Sequence, residues 1–311
     1  MRAIGVAPFV LGGLPYLVAE MGGAQNEAQD ELERVVRLAT PSIAEFREQI
    51  GPMLTEAQRK VEENTKMEVV DSWEVQAKAK VEDGKRVIEI NGGLVEIFDW
   101  IATAIAAIDT NNPQCAHQYI TYLFSEIDDN SGFVRVDIDE DKVYPPFTYA
   151  KDNPQICSGV SEALITKDSN AQQMKLIGLG SSIYWTLAHE LAHHLHKDET
   201  LEFDDPPTSA QLRRSRFDEQ HADKFAFEAL SRHGFSPLGA MPAYLFIGIR
   251  GAAAEDEDES THPSGPERFR VLYNALDILT SDPDFRASMK ASGQLGKWNE
   301  AMKKMRKFSY Q

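Results

Sequence analysis

The amino-acid pattern points to a mainly α-helical (α+β) protein with one small sheet. Apolar residues recur at helical spacing over long stretches, such as Leu32, Val35, Val36 and Leu38 near the start and Gln211 to Arg232 further on. By contrast, Arg86-Val87-Ile88-Glu89-Ile90 alternates apolar and charged residues at period two, the signature of a strand with one buried face. The rest of the composition is that of an ordinary soluble chain, 42% hydrophobic and 26% charged.

The elements follow in order. From Asn26 to about Glu82 the chain is polar with helical apolar spacing, and Pro41 and Pro52 are expected to divide it into short helices. Asp83-Gly84 marks a turn, and Asn91-Gly92-Gly93 ends the strand. Leu94 to Ile108 and Pro113 to Glu126 read as helices. Residues 127–170 mix turns with short β-like runs, notably Phe133-Val134-Arg135-Val136, with a break at Pro145-Pro146. A long helix is expected from about Ala171 through Leu195, spanning Gly178 and Gly180. After a loop at Asp204-Asp205-Pro206-Pro207, the helix from Gln211 to Arg232 stops at His233-Gly234. Glu255 to Glu259 is a solvated acidic loop, and Pro266 to Thr280 opens the last helical region.

A net charge of −17, from 49 acidic against 32 basic residues, argues against nucleic acid and anionic lipid as partners, since both need a basic surface. At the N-terminus, Arg2 precedes an apolar run to Ala19 and small residues at Gly22 and Ala24. This pattern fits a signal peptide over residues 1–24, export to the periplasm or medium, and a mature chain from Gln25. No later stretch reaches the roughly 18 uncharged apolar residues of a membrane span. Gly93–Ile108 carries Glu96 and Asp99, and Phe235–Ala254 carries two prolines and Arg250, so both read as core helices. Cys115 and Cys157 are too far apart in sequence for a CxxC pair; in an exported protein they are expected to bridge.

The chemistry concentrates at Leu187-Ala188-His189-Glu190-Leu191-Ala192-His193-His194. Residues four apart share a helix face, so His189 and His193 can reach one metal ion. Glu190 lies about 100° round the helix from His189, placed to act on the attacking water instead of the metal. The neighbours Ile183, Trp185, Leu187, Ala188, Leu191 and Ala192 make this a core helix. A catalytic zinc takes three protein ligands and keeps a position open. Asp218-Glu219-Gln220-His221-Ala222-Asp223 follows 26 positions after His193, with Glu219 and Asp223 again four apart. One carboxylate can bind the metal while the other accepts the free ring N–H of a ligating histidine. Asp218, His221 and Asp223 are the substitutes should Glu219 not serve.

With these residues in view, the sequence resembles the gluzincin metallopeptidases, most closely the HtpX and CAAX-prenyl-protease-like family. His189-Glu190-Leu191-Ala192-His193 is similar to its helix motif, and Glu219-Gln220-His221-Ala222-Asp223 to its Glu-x-x-Ala-Asp. Ser260-Thr261-His262-Pro263 to Arg268 is similar to its Thr-His-Pro…Arg segment, and His233-Gly234-Phe235-Ser236-Pro237 to the turn between. The likeness covers about residues 175–275. The gap of 26 is shorter than usual in that family and, with Asp223-Lys224-Phe225-Ala226, is more like that of the ImmA/IrrE-type peptidases.

The resemblance implies a zincin-like metallopeptidase domain over 83–311 with an insertion at about 110–170, preceded by a helical extension over 25–82. It implies one Zn2+ per chain on His189, His193 and Glu219, with Asp223 behind them and Glu190 as the catalytic base. It implies a zinc endopeptidase acting on protein or peptide substrates, with envelope protein quality control as the setting. The main-chain edge that would receive the substrate is expected at Arg86–Asn91. His262 is expected beside the zinc cleft, as a displaceable latch ligand or as an oxyanion donor. The alternative is a zinc-binding chaperone-like or adaptor protein with little turnover, against which the intact Glu190 argues.

Overall fold

The Asp83-Gly84 turn decides the architecture of the N-terminal half. In the computed structural model, which describes residues 27–109, 111–128, 143–165, 169–197, 208–232 and 237–250 and parts of 270–303, both turn residues have positive φ, 49° and 74°. That is the backbone of a two-residue hairpin turn whose twist matches its strands. It joins β2 (Ala77–Glu82) to β3 (Lys85–Asn91), paired antiparallel from Glu82 opposite Lys85 to Ala77 opposite Ile90. β1 (Thr65–Val70) pairs parallel on the other side of β3, giving the order β1-β3-β2.

Two expectations are corrected here. Residues 65–82 are not helical extension but two of the three strands, so a boundary at 82/83 would cut the hairpin. And Arg86–Asn91 is the centre of the sheet, with both main-chain edges taken by neighbours; β1 and β2 are the edges. On β2, Lys78 and Lys80 both pair with Glu89 of β3, which fixes the polar face of the hairpin.

Pro52 ends helix α1 (Glu27–Ile50), but Pro41 does not break it. A proline inside a helix costs about 3 kcal/mol. Val35, Phe46 and Ile50, on the same helix, are fully buried, and side chains of this kind are worth roughly 1.5–3 kcal/mol each. Tertiary packing therefore outweighs the proline. A short helix α2 (Glu56–Glu63), capped by Thr55, leads into β1. Arg47 joins these pieces, reaching Glu62 Oε1 and the Thr65 carbonyl at 2.5 Å each.

Helix α3 (Gly92–Thr103) is buried on all sides and continues into a π-helical turn, Ala104–Asp109. Its two acids are held by Arg34 on Glu96 at 3.1 Å and Lys175 on Asp99 at 2.8 Å, so it is a core helix. Gly93 is required by space, since a Cβ there would lie 2.2 Å from the Trp73 carbonyl oxygen. The Cys115–Cys157 disulfide, Cα–Cα 4.9 Å, ties helix α4 (Pro113–Asp128) to the turn that follows helix α5 (Pro146–Asp152), beside a cluster of Tyr119, Tyr122 and Tyr149. Residues 143–165, part of the stretch expected to mix turns with short β-like runs, hold α5 and a 3-10 turn.

The longest helix, α6 (Asn170–His196), is capped by Ser169 and buried through most of its second half. It packs on α1, α3 and the β2–β3 hairpin and also on α7 (Ser209–Arg232) and α8 (Met241–Arg250). Among the described residues no helix is long and apolar enough to cross a membrane. Residues 1–26, Phe133–Val136, His233–Ser236 and the acidic loop with His262 lie outside the described residues.

Candidate metal centre

Helix α6 brings His189, Glu190 and His193 into the core because its flanking residues Leu187, Ala188, Leu191 and Ala192 are fully buried. Its rotation is set by His194. That side chain is buried and its Nε2 lies 3.1 Å from the Val87 carbonyl of β3. A carbonyl only accepts, so Nε2 carries the proton, and the bond locks α6 against the central strand. With His194 turned to the sheet, His189 and His193 face α7.

From α7, Glu219 reaches both. Its Oε2 lies 3.4 Å from His189 Nε2, its Oε1 3.4 Å from His193 Nε2, and the two Nε2 atoms are 3.2 Å apart. Four donor atoms round one point with bonds of about 2.1 Å stand about 3.4 Å from each other in a tetrahedral array. The observed spacings fit that figure, and the three residues could hold a metal ion. Their chemistry fits too, since two imidazoles and a carboxylate leave one position of a tetrahedral ion open.

One turn beyond Glu219, Asp223 Oδ1 lies 3.0 Å from His189 Nδ1, within hydrogen-bond distance though off the N–H axis. Burial works against a charge on His189. The hydrogen bonds and charges of Asp223 and Glu219 outweigh it and raise the pKa above the ordinary imidazole value. Asp218 is taken by Arg214, whose Nε meets its two oxygens at 2.9 and 2.8 Å, and His221 is exposed. Of the alternatives for a third donor, neither of these stands at the two histidines.

Glu190 is 8% exposed and, among the described residues, makes no hydrogen bond or ion pair. It is neither a member of the donor group nor tied up by a cation, which leaves its carboxylate available for proton transfer. Two aromatic side chains complete the surroundings. Trp185, one turn before His189, lies against its ring with centroids 5.1 Å apart, and Tyr244 of α8 meets Trp185 edge-on at 5.7 Å. The Tyr244 hydroxyl is buried with no hydrogen-bond partner among the described residues. Burial first, and the charge of Asp223 second, raise its pKa well above the usual phenol range. Sequence reasoning marks neither aromatic as a site residue; the signal for Trp185 is its spacing, four residues before His189 on the same helix face.

His189, His193, Glu219 and Asp223 are thus brought together as expected, with Glu190 next to His189 in the chain, while His262 lies outside the described residues. Comparison with family models, curated proteins and solved structures finds no match to this chain.

Proposed function

We propose that this chain is a zinc-dependent endopeptidase of the gluzincin type. The observation that carries the reading is the convergence of His189, His193 and Glu219 on one point while Glu190, next to His189 in the chain, stays uncommitted. Two nitrogens and one oxygen in tetrahedral spacing suit zinc better than Mg2+ or Ca2+, which take oxygen donors. Zinc, when bound, polarises the scissile carbonyl and acidifies the attacking water.

The protein's own groups do the rest. Glu190 accepts a proton from the water as it attacks and passes it to the departing amine. Asp223 holds the His189 ring so that Nε2 presents its lone pair to the ion. Trp185 and Tyr244 keep that side of the site dry, which strengthens every charge interaction within it. An extended substrate would pair with β2, the edge strand that packs on α6, in place of the central strand first expected.

The Cys115–Cys157 bridge favours an exported protein, because such bonds persist in oxidising compartments. Envelope protein quality control is the setting we propose for it. The test is metal removal. Stripping the protein with a chelator should abolish hydrolysis of unfolded casein, and one equivalent of zinc should restore it; hydrolysis that survives complete stripping would overturn the zinc-dependent reading, and a zinc-loaded protein that leaves casein intact would put the adaptor reading in its place.

A further inference from the structure

We propose that His196 and His221 form a second, weaker site for a late first-row divalent ion, distinct from the His189–His193–Glu219 group. His196 is the last residue of α6 and His221 stands on α7, two positions after Glu219. Their rings approach across the helix pair with centroids 5.8 Å apart and planes inclined at 72°. Two imidazoles sharing one ion through bonds of about 2.1 Å have centroids about 5–6 Å apart. The His189–His193 pair, at 4.9 Å, shows the same order of spacing.

Three further observations favour a cation there. Both residues are exposed, so an ion enters without opening the fold and water completes its shell. The position is the C-terminal end of α6, closed by Lys197 at φ 63°, where the last carbonyls of a 27-residue helix concentrate negative potential. And Phe217, itself 53% exposed, lies on the His221 ring at 4.2 Å between centroids, which limits its motion and the entropy lost on binding. Imidazole donors select Cu2+, Ni2+ and Zn2+ over Mg2+ and Ca2+, with Cu2+ tightest. The bound ion would tie the end of α6 to α7, the two helices that carry the first donor group.

The inference does not depend on the peptidase reading, and one experiment separates them. Equilibrium dialysis of the full chain against micromolar free Zn2+, followed by metal analysis, should give two ions in the wild type. His196→Ala and His221→Ala should each lower affinity for the weaker ion at least about tenfold while keeping the tighter one. Glu219→Ala should keep only the weaker ion. His117→Ala, another exposed histidine, should change nothing. A single ion that is lost in Glu219→Ala and kept in both histidine variants, a second ion that survives both substitutions, or loss of both ions in both variants would each overturn the proposal. Absence of the tight ion with the weak one intact would instead count against the peptidase reading alone.

Discussion

Asp223 Oδ1 sits 3.0 Å from His189 Nδ1, one helical turn beyond the Glu219 carboxylate that faces Nε2 of the same ring. One imidazole is thus held from both nitrogens by two residues of a single helix, α7. With Nδ1 beside Asp223, Nε2 is the nitrogen that stands with Glu219 and His193, where a metal ion would bind.

Asp223→Asn is therefore expected to weaken tight zinc binding by about 10–100-fold without unfolding the chain. His189→Ala, His193→Ala and Glu219→Ala should lose the tight ion outright. Competition with a chromogenic chelator measures both effects. An Asp223→Asn protein with wild-type affinity would show that the 3.0 Å approach does nothing for the ion.

Acidity should act on this ring in two opposed ways. In the metal-free protein the raised pKa of His189 means that the folded state holds a proton which the unfolded chain releases at about pH 6.5. Its contribution to stability is then complete below that pH and is lost as the pH rises through the raised value. Metal uptake must expel the proton, so zinc affinity has the opposite slope, rising over the same interval. Melting curves of the stripped protein between about pH 6 and pH 8, with His189→Gln as the control, check the first slope. Zinc titrations over that range check the second.

Gly93→Ala is expected to destabilise the fold by about 1–3 kcal/mol, because the new Cβ would meet the Trp73 carbonyl oxygen at 2.2 Å and backbone must shift to admit it. The Ser72–Gln76 segment that moves also positions β2, since Asn91 N–H donates to the Gln76 carbonyl at 3.1 Å. Thermal denaturation of the variant reads the cost.

Reduction of Cys115–Cys157 releases a loop of 42 residues, which the chain-entropy model sets at roughly 3–4 kcal/mol. A melting temperature that drops in reductant, with no alkylatable thiol before it, is the expected result.

The donor residues were legible because the relation that makes them a site is local. Spacing of four on a helix puts His189 beside His193, and Glu219 beside Asp223, whatever the rest of the chain does. The sheet was harder to read. Ala77-Lys78-Ala79-Lys80 alternates at period two, but alanine and lysine are strong helix formers, so the turn at Asp83-Gly84 is legible while the strand before it is not. Pro41 misled for the converse reason, since its cost is local and its compensation tertiary. His194 and Tyr244 could not be placed at all, because the Val87 carbonyl and Asp223 that face them come from distant parts of the chain.

In the proposed mechanism Glu190 moves the proton while His189, His193 and Glu219 hold the metal. Glu190→Gln keeps the size of the side chain and removes its basicity, so zinc content and casein hydrolysis should be measured together on wild type and variant. Undiminished zinc with hydrolysis lowered by about 10²–10⁴-fold is the expected result. A variant that keeps its zinc and cleaves casein at the wild-type rate would contradict it.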